Sequence, residues 1–377
     1  MTARARPAAR VGDPVSAIDT PALVIDLDAM ERNLAAMAAF ARRHRVALRP
    51  HAKLHKSAAI AQLQVRAGAV GVCVQKLSEA EVLAERGVAD VFITNEIVDA
   101  TKLARFAALA GRATLAIAVD SALGIERLAH ALGVAGTAAA VFVEIDVGQG
   151  RCGAAPAAAG ALAQQVVAHG LRFAGLQAYH GRAQHLRGAD ERAAAITAAV
   201  AKVRVALATL AAAGIACPLV TGAGTGSFVC EAASGVYGEL QAGSYLFMDA
   251  DYAQNAPAPG APHFEHALFV KSQVMSRGAA HAVVDAGHKS HAIDSGLPRV
   301  WQRDLEFGNG GDEHGLLMPR AGRTAADLPA LGATVWLVPG HCDPTVNLHN
   351  HYVALRGGLA HGVVEAVWPV DARGCVA

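Results

Sequence analysis

The chain has 377 residues, 53% of them apolar and only 17% charged, and its 33 basic and 32 acidic side chains leave a formal charge of +1. That balance gives no electrostatic reason for a nucleic-acid or anionic-membrane partner, and the length suits one large domain joined to a smaller one. Mean hydropathy is positive, but the excess is mostly alanine. The most apolar run, "ALATLAAAGIACPLV" (206–220), is short and broken by Gly214 and Pro218, so it reads as helix–turn–strand and not as a membrane span. The N-terminal "MTARARPAAR" is basic, yet no apolar segment follows it, which argues against export. The cysteines are scattered without any CxxC. Buried thiols in a reducing cytoplasm fit that pattern better than a disulfide scaffold, so a cytoplasmic protein is expected.

In chain order, "ALVIDL" (22–27) is a first strand candidate, assignable to either of two layers. Eight short apolar runs follow: "VALRPHA" (46–52), "GVCVQK" (71–76), "DVFITN" (90–95), "TLAIAVD" (114–120), "AAVFVEID" (139–146), "FAGLQAY" (173–179), "PLVTGAG" (218–224) and "ELQAGSYLF" (239–247). Between most of them lie helical stretches such as "SEAEVLAERG" and "SALGIERLAHALG", with Ser78 and Ser121 as expected N-caps and Gly87 and Gly133 as C-cap signals. Continuously apolar strands alternating with helices predict a parallel sheet covered on both sides, best closed as a (β/α)8 barrel of the TIM type. After Asp251 the texture changes. "NAPAPGAPHF" (255–264) is a Pro/Gly linker, and the short strands behind it carry turn signals. The expected division is a barrel over 29–252 and an antiparallel β domain over 253–377, which residues 1–28 could join.

Barrel enzymes work at the C-terminal ends of their strands. Reading those ends collects His51, Lys53, Gln75, Asn95, Asp120, Asp146, Arg151, Tyr179, His180, His185, the turn 222–227, Ser244 and Tyr245. Lys53 and Lys56 both follow the first barrel strand, and a desolvated lysine yields a free amine able to form a Schiff base. Solvated lysines at a strand–helix turn would look the same. "TGAGTGS" (221–227) after the seventh strand and "GSY" (243–245) after the eighth offer backbone N–H groups to a phosphate, or are tight turns only. A lysine facing a phosphate nest across one barrel mouth describes a pyridoxal phosphate site. In "PGHCDPTVNLH" (339–349), His341 and Asp343 at i and i+2 fall on one side of an extended segment and could share a divalent ion, with Cys342 pointing away. "DEHG" (312–315) offers further donors, among them Asp312, a catalytic candidate. His288 and His291, in "DAGHKSHAIDSGLP" (285–298), receive no role.

At "RPHAKLHK", "GVCVQKLSEAE", "EIDVGQGRCG", "LQAYHG", "GAGTGS", "ELQAGSYLFMDADY", "VVDAG", "DEHG" and "VPGHCDPTVNLH" the chain resembles the D-threonine aldolase family of alanine-racemase-like (fold type III) pyridoxal phosphate enzymes. It is similar also to 3-hydroxy-D-aspartate aldolases and, more distantly, to D-serine dehydratases. The resemblance implies that Lys53 is the Schiff-base lysine and that "ALVIDL" belongs to the β domain. It implies His341 and Asp343 as metal ligands; aspartate, where the dehydratases carry a zinc-binding cysteine, favours manganese or magnesium ahead of zinc. It implies Gln75, Arg151, Gln177 and Tyr179 at the cofactor ring, and Gly224, Thr225, Gly226, Ser227, Gly243, Ser244 and Tyr245 at its phosphate. Ala223 departs from the glycine usual in relatives. The expected reaction is cleavage of a D-β-hydroxy-α-amino acid to glycine and an aldehyde, with His185 or a metal-bound hydroxide as base, in a homodimer. Cleavage of 3-hydroxy-D-aspartate would need a cation such as Arg182 or Arg187, and dehydration is the other alternative.

Overall fold

The computed structural model describes residues 6–377. Residues 1–5, included in the expected segment 1–28 and in the basic N-terminal stretch, lie outside the described residues. Strand β1 (Ala22–Asp26) is buried almost throughout and ends on Asp26, whose carboxylate accepts the Ala29 amide at 3.1 Å and caps helix α1 (Leu27–His44). The chain then lays down eight short strands: β2 (Ala47–Leu48), β3 (Val72–Val74), β4 (Asp90–Ile93), β5 (Thr114–Val119), β6 (Ala140–Glu144), β7 (Arg172–Gln177), β8 (Val220–Gly222) and β9 (Glu239–Leu240). Neighbours from β3 to β9 pair in parallel, and β9 pairs in parallel with β2. Between β2 and β3 the cylinder is completed by a His51–Cys73 bridge and by the Val70 and Cys73 amides donating to Leu48 and Pro50.

Outside the cylinder pack α2 (Ala58–Arg66), α3 (Leu77–Glu85), α4 (Ala100–Ala110), α5 (Ala122–Ala135), α6 (Ala159–Ala168), α7 (Ala189–Ala212) and α8 (Phe228–Ala233). Alternation along each strand sorts the side chains. Val72, Val91, Ile93, Ile117, Val141 and Val143 face the helices, whereas Phe92, Ala116, Ala118, Ala140, Phe142 and Ala174 fill the interior, with Phe92 and Phe142 stacked at 4.6 Å. Each fully buried aliphatic of this kind stabilises by about 1.5–3 kcal/mol. By length and a mean hydropathy of 1.6, α7 could cross a membrane. In the fold it covers the barrel, with Ile196, Ala199, Val203, Ala206 and Leu210 buried.

Ser121 caps α5 as expected, its hydroxyl accepting the Gly124 amide at 3.3 Å, but α5 runs past Gly133 to a left-handed Gly136. Ser78 is not an N-cap. The Glu79 carboxylate takes the Gln75 and Lys76 amides at 3.0 and 3.1 Å, so α3 starts earlier, with Lys76 at the N-cap, and Ser78 Oγ donates to the Ala377 carbonyl instead.

The second sheet adds β10 (Leu268–Arg277), β11 (Ala282–Val284), β12 (Arg299–Val300), β13 (Leu305–Asn309), β14 (Gly315–Pro319), β15 (Thr334–Val338), β16 (His351–Arg356) and β17 (Val363–Pro369). Its order is β13-β14-β11-β10-β1-β16-β17, with β15 pairing β10 and β12. It is antiparallel except where β1 meets β16. "ALVIDL" thus belongs to this sheet. One apolar cluster, with Leu23, Ile25, Met30, Leu246, Phe247, Leu268 and Tyr352, joins the two layers, and the Tyr352 hydroxyl donates to the His55 carbonyl at 2.6 Å beside the Lys53 turn.

Candidate active site

The C-terminal ends of the barrel strands surround a cavity of about 160 Å³, lined by His51, Lys53, Gln75, Arg151, Gln177, Tyr179, Gly224, Thr225, Gly243, Ser244, Tyr252 and Asp343. A larger cleft of about 970 Å³ adjoins it, shares Thr225 and Tyr252, and runs under the 255–264 linker. Lys53 sits on a helical turn (Ala52–Leu54) started by His51, whose ring accepts the Lys53 amide at 3.4 Å.

The two lysines part company here. Lys56 is buried and structural: its ammonium pairs with Glu79 at 2.8 Å and reaches the Ala372 and Cys375 carbonyls. Lys53 enters the cavity and forms an ion pair with Asp343 Oδ2. Enclosure by the barrel wall works against its charge, but the Asp343 carboxylate outweighs that and holds Lys53 above the ordinary lysine range. The expectation that desolvation alone would free this amine is corrected by its partner across the cavity. Burial raises the Asp343 carboxyl, and the Lys53 charge more than reverses the effect. Burial, helped by the Lys53 charge, drives His51 well below the usual imidazole range and keeps it neutral. Gln75, itself on the cavity wall, is committed to this histidine (3.0 Å) and to Thr94.

Beneath the cavity, Gln177 and Gln241 exchange hydrogen bonds of 2.8 and 3.2 Å; Gln241 also donates to Thr221 (2.8 Å), and Thr221 donates to Glu239 (2.7 Å). Arg151 lines the mouth without a hydrogen bond or ion pair among the described residues.

The two glycine-rich turns divide their amides. Gly226 donates to Gln184 Oε1 at 2.9 Å, Ser227 to the Gly224 carbonyl at 3.2 Å, and Tyr245 to Thr225 Oγ1 at 2.9 Å. Ser227 Oγ accepts from Gln184 and donates to Glu231, both at 2.7 Å. The Tyr245 phenol is fully buried against Phe264, with its oxygen accepting from Gln64. Of the expected phosphate set, Gly226, Ser227 and Tyr245 are not among the residues lining this cavity: Gly226 lines the adjoining cleft, while Ser227 and the Tyr245 ring brace the turns from behind. The amides of Gly224, Thr225, Gly243 and Ser244 make no hydrogen bond among the described residues, and all four residues line the cavity. Free N–H donors on residues of one cavity wall are what a phosphate requires. Ala223 holds a left-handed φ of +70°, the conformation for which glycine is favoured.

On the β-domain side, His341 is the extended residue before a short helix, α9 (Cys342–Val346), and Asp343 lies in its first turn. The pair converges, but not by alternation along an extended segment: Pro344 is well tolerated in a first helical turn and lets the helix begin at once. Asp343 Oδ1 is buried without a hydrogen-bond partner and lies 3.8 Å from His341 Nε2. Two metal–ligand bonds of about 2.0–2.2 Å each can span that gap, so the orphaned oxygen and the imidazole nitrogen fit one divalent ion. Among the described residues no cluster of three or more His, Cys, Asp or Glu side chains is arranged around a metal. This pair would supply two donors and leave the other positions to water or substrate. Cys342 is buried away from it.

Two candidates lie off the cavity wall. His185 stands at the rim, its Nδ1 2.7 Å from Asp251 Oδ2 and its ring 5.6 Å from that of Tyr252. Asp312, half exposed beyond β13, pairs with His288 (2.7 Å) and Lys289 (3.1 Å), and the structure does not bring it to the cavity. Arg187 is committed to Asp251 and Asn255, whereas exposed Arg182 has no ion pair among the described residues. Reading by residue passed over Tyr252, Gln241, Thr94, Asp251 and Asp294. Of these, Asp251 and Tyr252 close "DADY" at the end of the expected barrel.

A lysine at the mouth of a parallel barrel, facing a separate β domain that recruits the chain's own first strand, is the arrangement of alanine-racemase-like proteins. The Alanine racemase, N-terminal domain model matches residues 25–251, and the Putative serine dehydratase domain model matches 267–355. The chain is 47% identical over 372 residues to the D-threonine aldolase of Arthrobacter sp, covering 98% of this chain and 96% of that one. It is 44% identical over 369 residues to the 3-hydroxy-D-aspartate aldolase of Paracoccus denitrificans (strain Pd 1222), covering 95% and 93%. The crystal structure of D-threonine aldolase from Filomicrobium marinum superposes with a TM-score of 0.95 at 49% identity, covering 98% of this chain and 100% of that one. The chain belongs to the D-threonine aldolase family, and it is a lyase.

Proposed function

We propose that the protein uses pyridoxal 5'-phosphate and a divalent cation, manganese or magnesium ahead of zinc, to cleave D-threonine and related D-β-hydroxy-α-amino acids to glycine and an aldehyde. The observation that carries this reading is the shared cavity, lined both by a lysine paired to a carboxylate and by four residues whose backbone amides make no hydrogen bond among the described residues. The cofactor would supply an aldehyde for the substrate amine and a sink for the electron pair released at Cα, and the cation a Lewis acid.

The chain's own groups do the rest. Lys53 would hold the cofactor, after giving up both its proton and its pairing with Asp343. Gly224, Thr225, Gly243 and Ser244 would anchor the phosphate through their amides, and Arg151 and Tyr179 would flank the ring. His341 and Asp343 would hold the cation. Asp251 accepts the His185 Nδ1–H, which leaves the lone pair of the neutral ring on Nε2. That nitrogen takes the substrate's β-hydroxyl proton as the Cα–Cβ bond breaks; a carbonyl forms at Cβ, and a proton delivered to Cα completes glycine.

A second reading, cleavage of 3-hydroxy-D-aspartate, is favoured by Arg182, which lies on the same turn as His185 and has no ion pair among the described residues. Incubation with D-threonine and D-3-hydroxyaspartate in parallel tests both. Glycine with acetaldehyde or with glyoxylate is the expected product pair; a keto acid with ammonia would replace the aldolase by a dehydratase.

A further inference from the structure

The segment "DAGHKSHAIDSGLP" (285–298) joins β11 to β12 and contributes nothing to the cavity lining. Its second half runs along the turn that carries His341 and Asp343, and the two are fastened at several points. The Ala292 amide donates to Thr345 Oγ1 at 3.0 Å, and that hydroxyl donates to the His341 carbonyl at 2.7 Å. Gly296, at a left-handed φ of +103°, passes so close to Gly340 that a Cβ on Gly340 would run into the Gly296 carbonyl. Between these fixed points Asp294 Oδ2 lies 2.7 Å from His341 Nδ1, with the Ser295 hydroxyl at 3.5 Å from the same nitrogen. The Asp294 side chain is 50% exposed, so burial does not force it onto a histidine. The backbone on either side puts it there.

We infer that Asp294 is the positioning residue that sets the tautomer and aim of His341 for the divalent cation, an inference that rests on the metal reading above. A carboxylate accepts but does not donate, so its contact assigns the ring proton to Nδ1 and the lone pair to Nε2. Nε2 is the nitrogen facing the unpartnered Asp343 oxygen. Without Asp294 the ring can populate both tautomers and turn about its side-chain bonds, and only a fraction of molecules then offer a correctly aimed lone pair. Asp294 touches neither cavity nor cofactor residues, and its effect is confined to the ion.

The test is Mn2+ binding to the full chain, read from loss of the free-ion electron paramagnetic resonance signal. Asp294→Ala is expected to weaken binding by about 10–100-fold, as loss of a partner behind a metal-ligating histidine typically does. Asp294→Asn, which accepts without charge, should fall between, and Asp294→Glu should recover part of the affinity. The visible absorbance of bound cofactor and the melting temperature should stay at wild-type values in all three. Should the alanine variant be unstable, the near-isosteric Asp294→Asn decides the question in its place. Mn2+ affinity in both Asp294→Ala and Asp294→Asn within about two-fold of wild type, against the larger loss expected, overturns the assignment and leaves the metal site standing. If His341→Ala binds Mn2+ as tightly as wild type, the metal reading itself fails and takes the assignment with it.

Discussion

On the barrel side of the cavity, Gln177, Gln241, Thr221 and Glu239 form a closed chain of neutral and charge-assisted hydrogen bonds, completed by Arg49 on Glu239 at 3.0 Å. On the β-domain side, the Asp343 carboxylate holds Lys53 with one oxygen and leaves the other without a partner. The first arrangement is satisfied by its own residues and fixes where things sit. The second consists of charges that can exchange partners, because an ammonium and a divalent ion are alternative counterions for the same carboxylate. Positioning and chemistry are thus assigned to opposite walls of one small cavity, and each wall can be disturbed separately.

The exchangeable wall should show the largest effects. Lys53→Ala is expected to abolish the visible absorbance of bound cofactor and lower turnover by at least about a thousand-fold, since a covalent attachment point has no substitute; absorption spectra and steady-state rates check both. Removal of divalent ions with a chelator, or His341→Ala, should leave that absorbance in place and reduce cleavage by about a hundred-fold or more, with added Mn2+ restoring only the chelated wild type. Loss of absorbance on chelation would mean that the two walls are not separable.

Groups behind the barrel side of the cavity should respond through stability. Behind the glycine turn, burial pushes the Glu231 carboxyl up to about 7, and one of its oxygens has no partner. The folded chain keeps a proton that the unfolded chain releases near 4.5, so stability should fall as pH rises from about 4.5 to about 7, by on the order of 1–3 kcal/mol. Glu231→Gln should flatten that slope in denaturant titrations at pH 5 and pH 8. The smallest effect belongs to Ala223. Relief of its left-handed backbone by Ala223→Gly is partly offset by the added freedom of the unfolded chain, so the denaturation midpoint should rise by no more than about 1 kcal/mol equivalent.

Much of the barrel is legible because strands buried on both faces leave continuous apolar runs, and each of the eight predicted runs overlaps a strand. Their lengths are less legible. "ELQAGSYLF" forms only the two-residue β9, since Gly243 and Ser244 leave the sheet to build the cavity mouth. Local pattern brings Lys53 and Lys56, the turn 221–227 and the pair His341–Asp343 into view. The choice of Lys53 comes from the family resemblance, and His341 and Asp343 meet through a helical turn and not through the expected extended spacing. Asp294 could not be picked out, because its partner lies 47 positions away and only the fold brings them together. Tyr245 misled for a related reason: whether an aromatic after a strand turns into the cavity or into the core depends on packing with Phe264, which no local pattern encodes.

The most direct test of the central claim is to reduce the cofactor-loaded protein with borohydride, digest it and locate the pyridoxyl mass by peptide sequencing. One modified peptide is predicted, with the label on Lys53 and Lys56 unmodified. Label on Lys56 or any other lysine, or none, would contradict the assignment of Lys53.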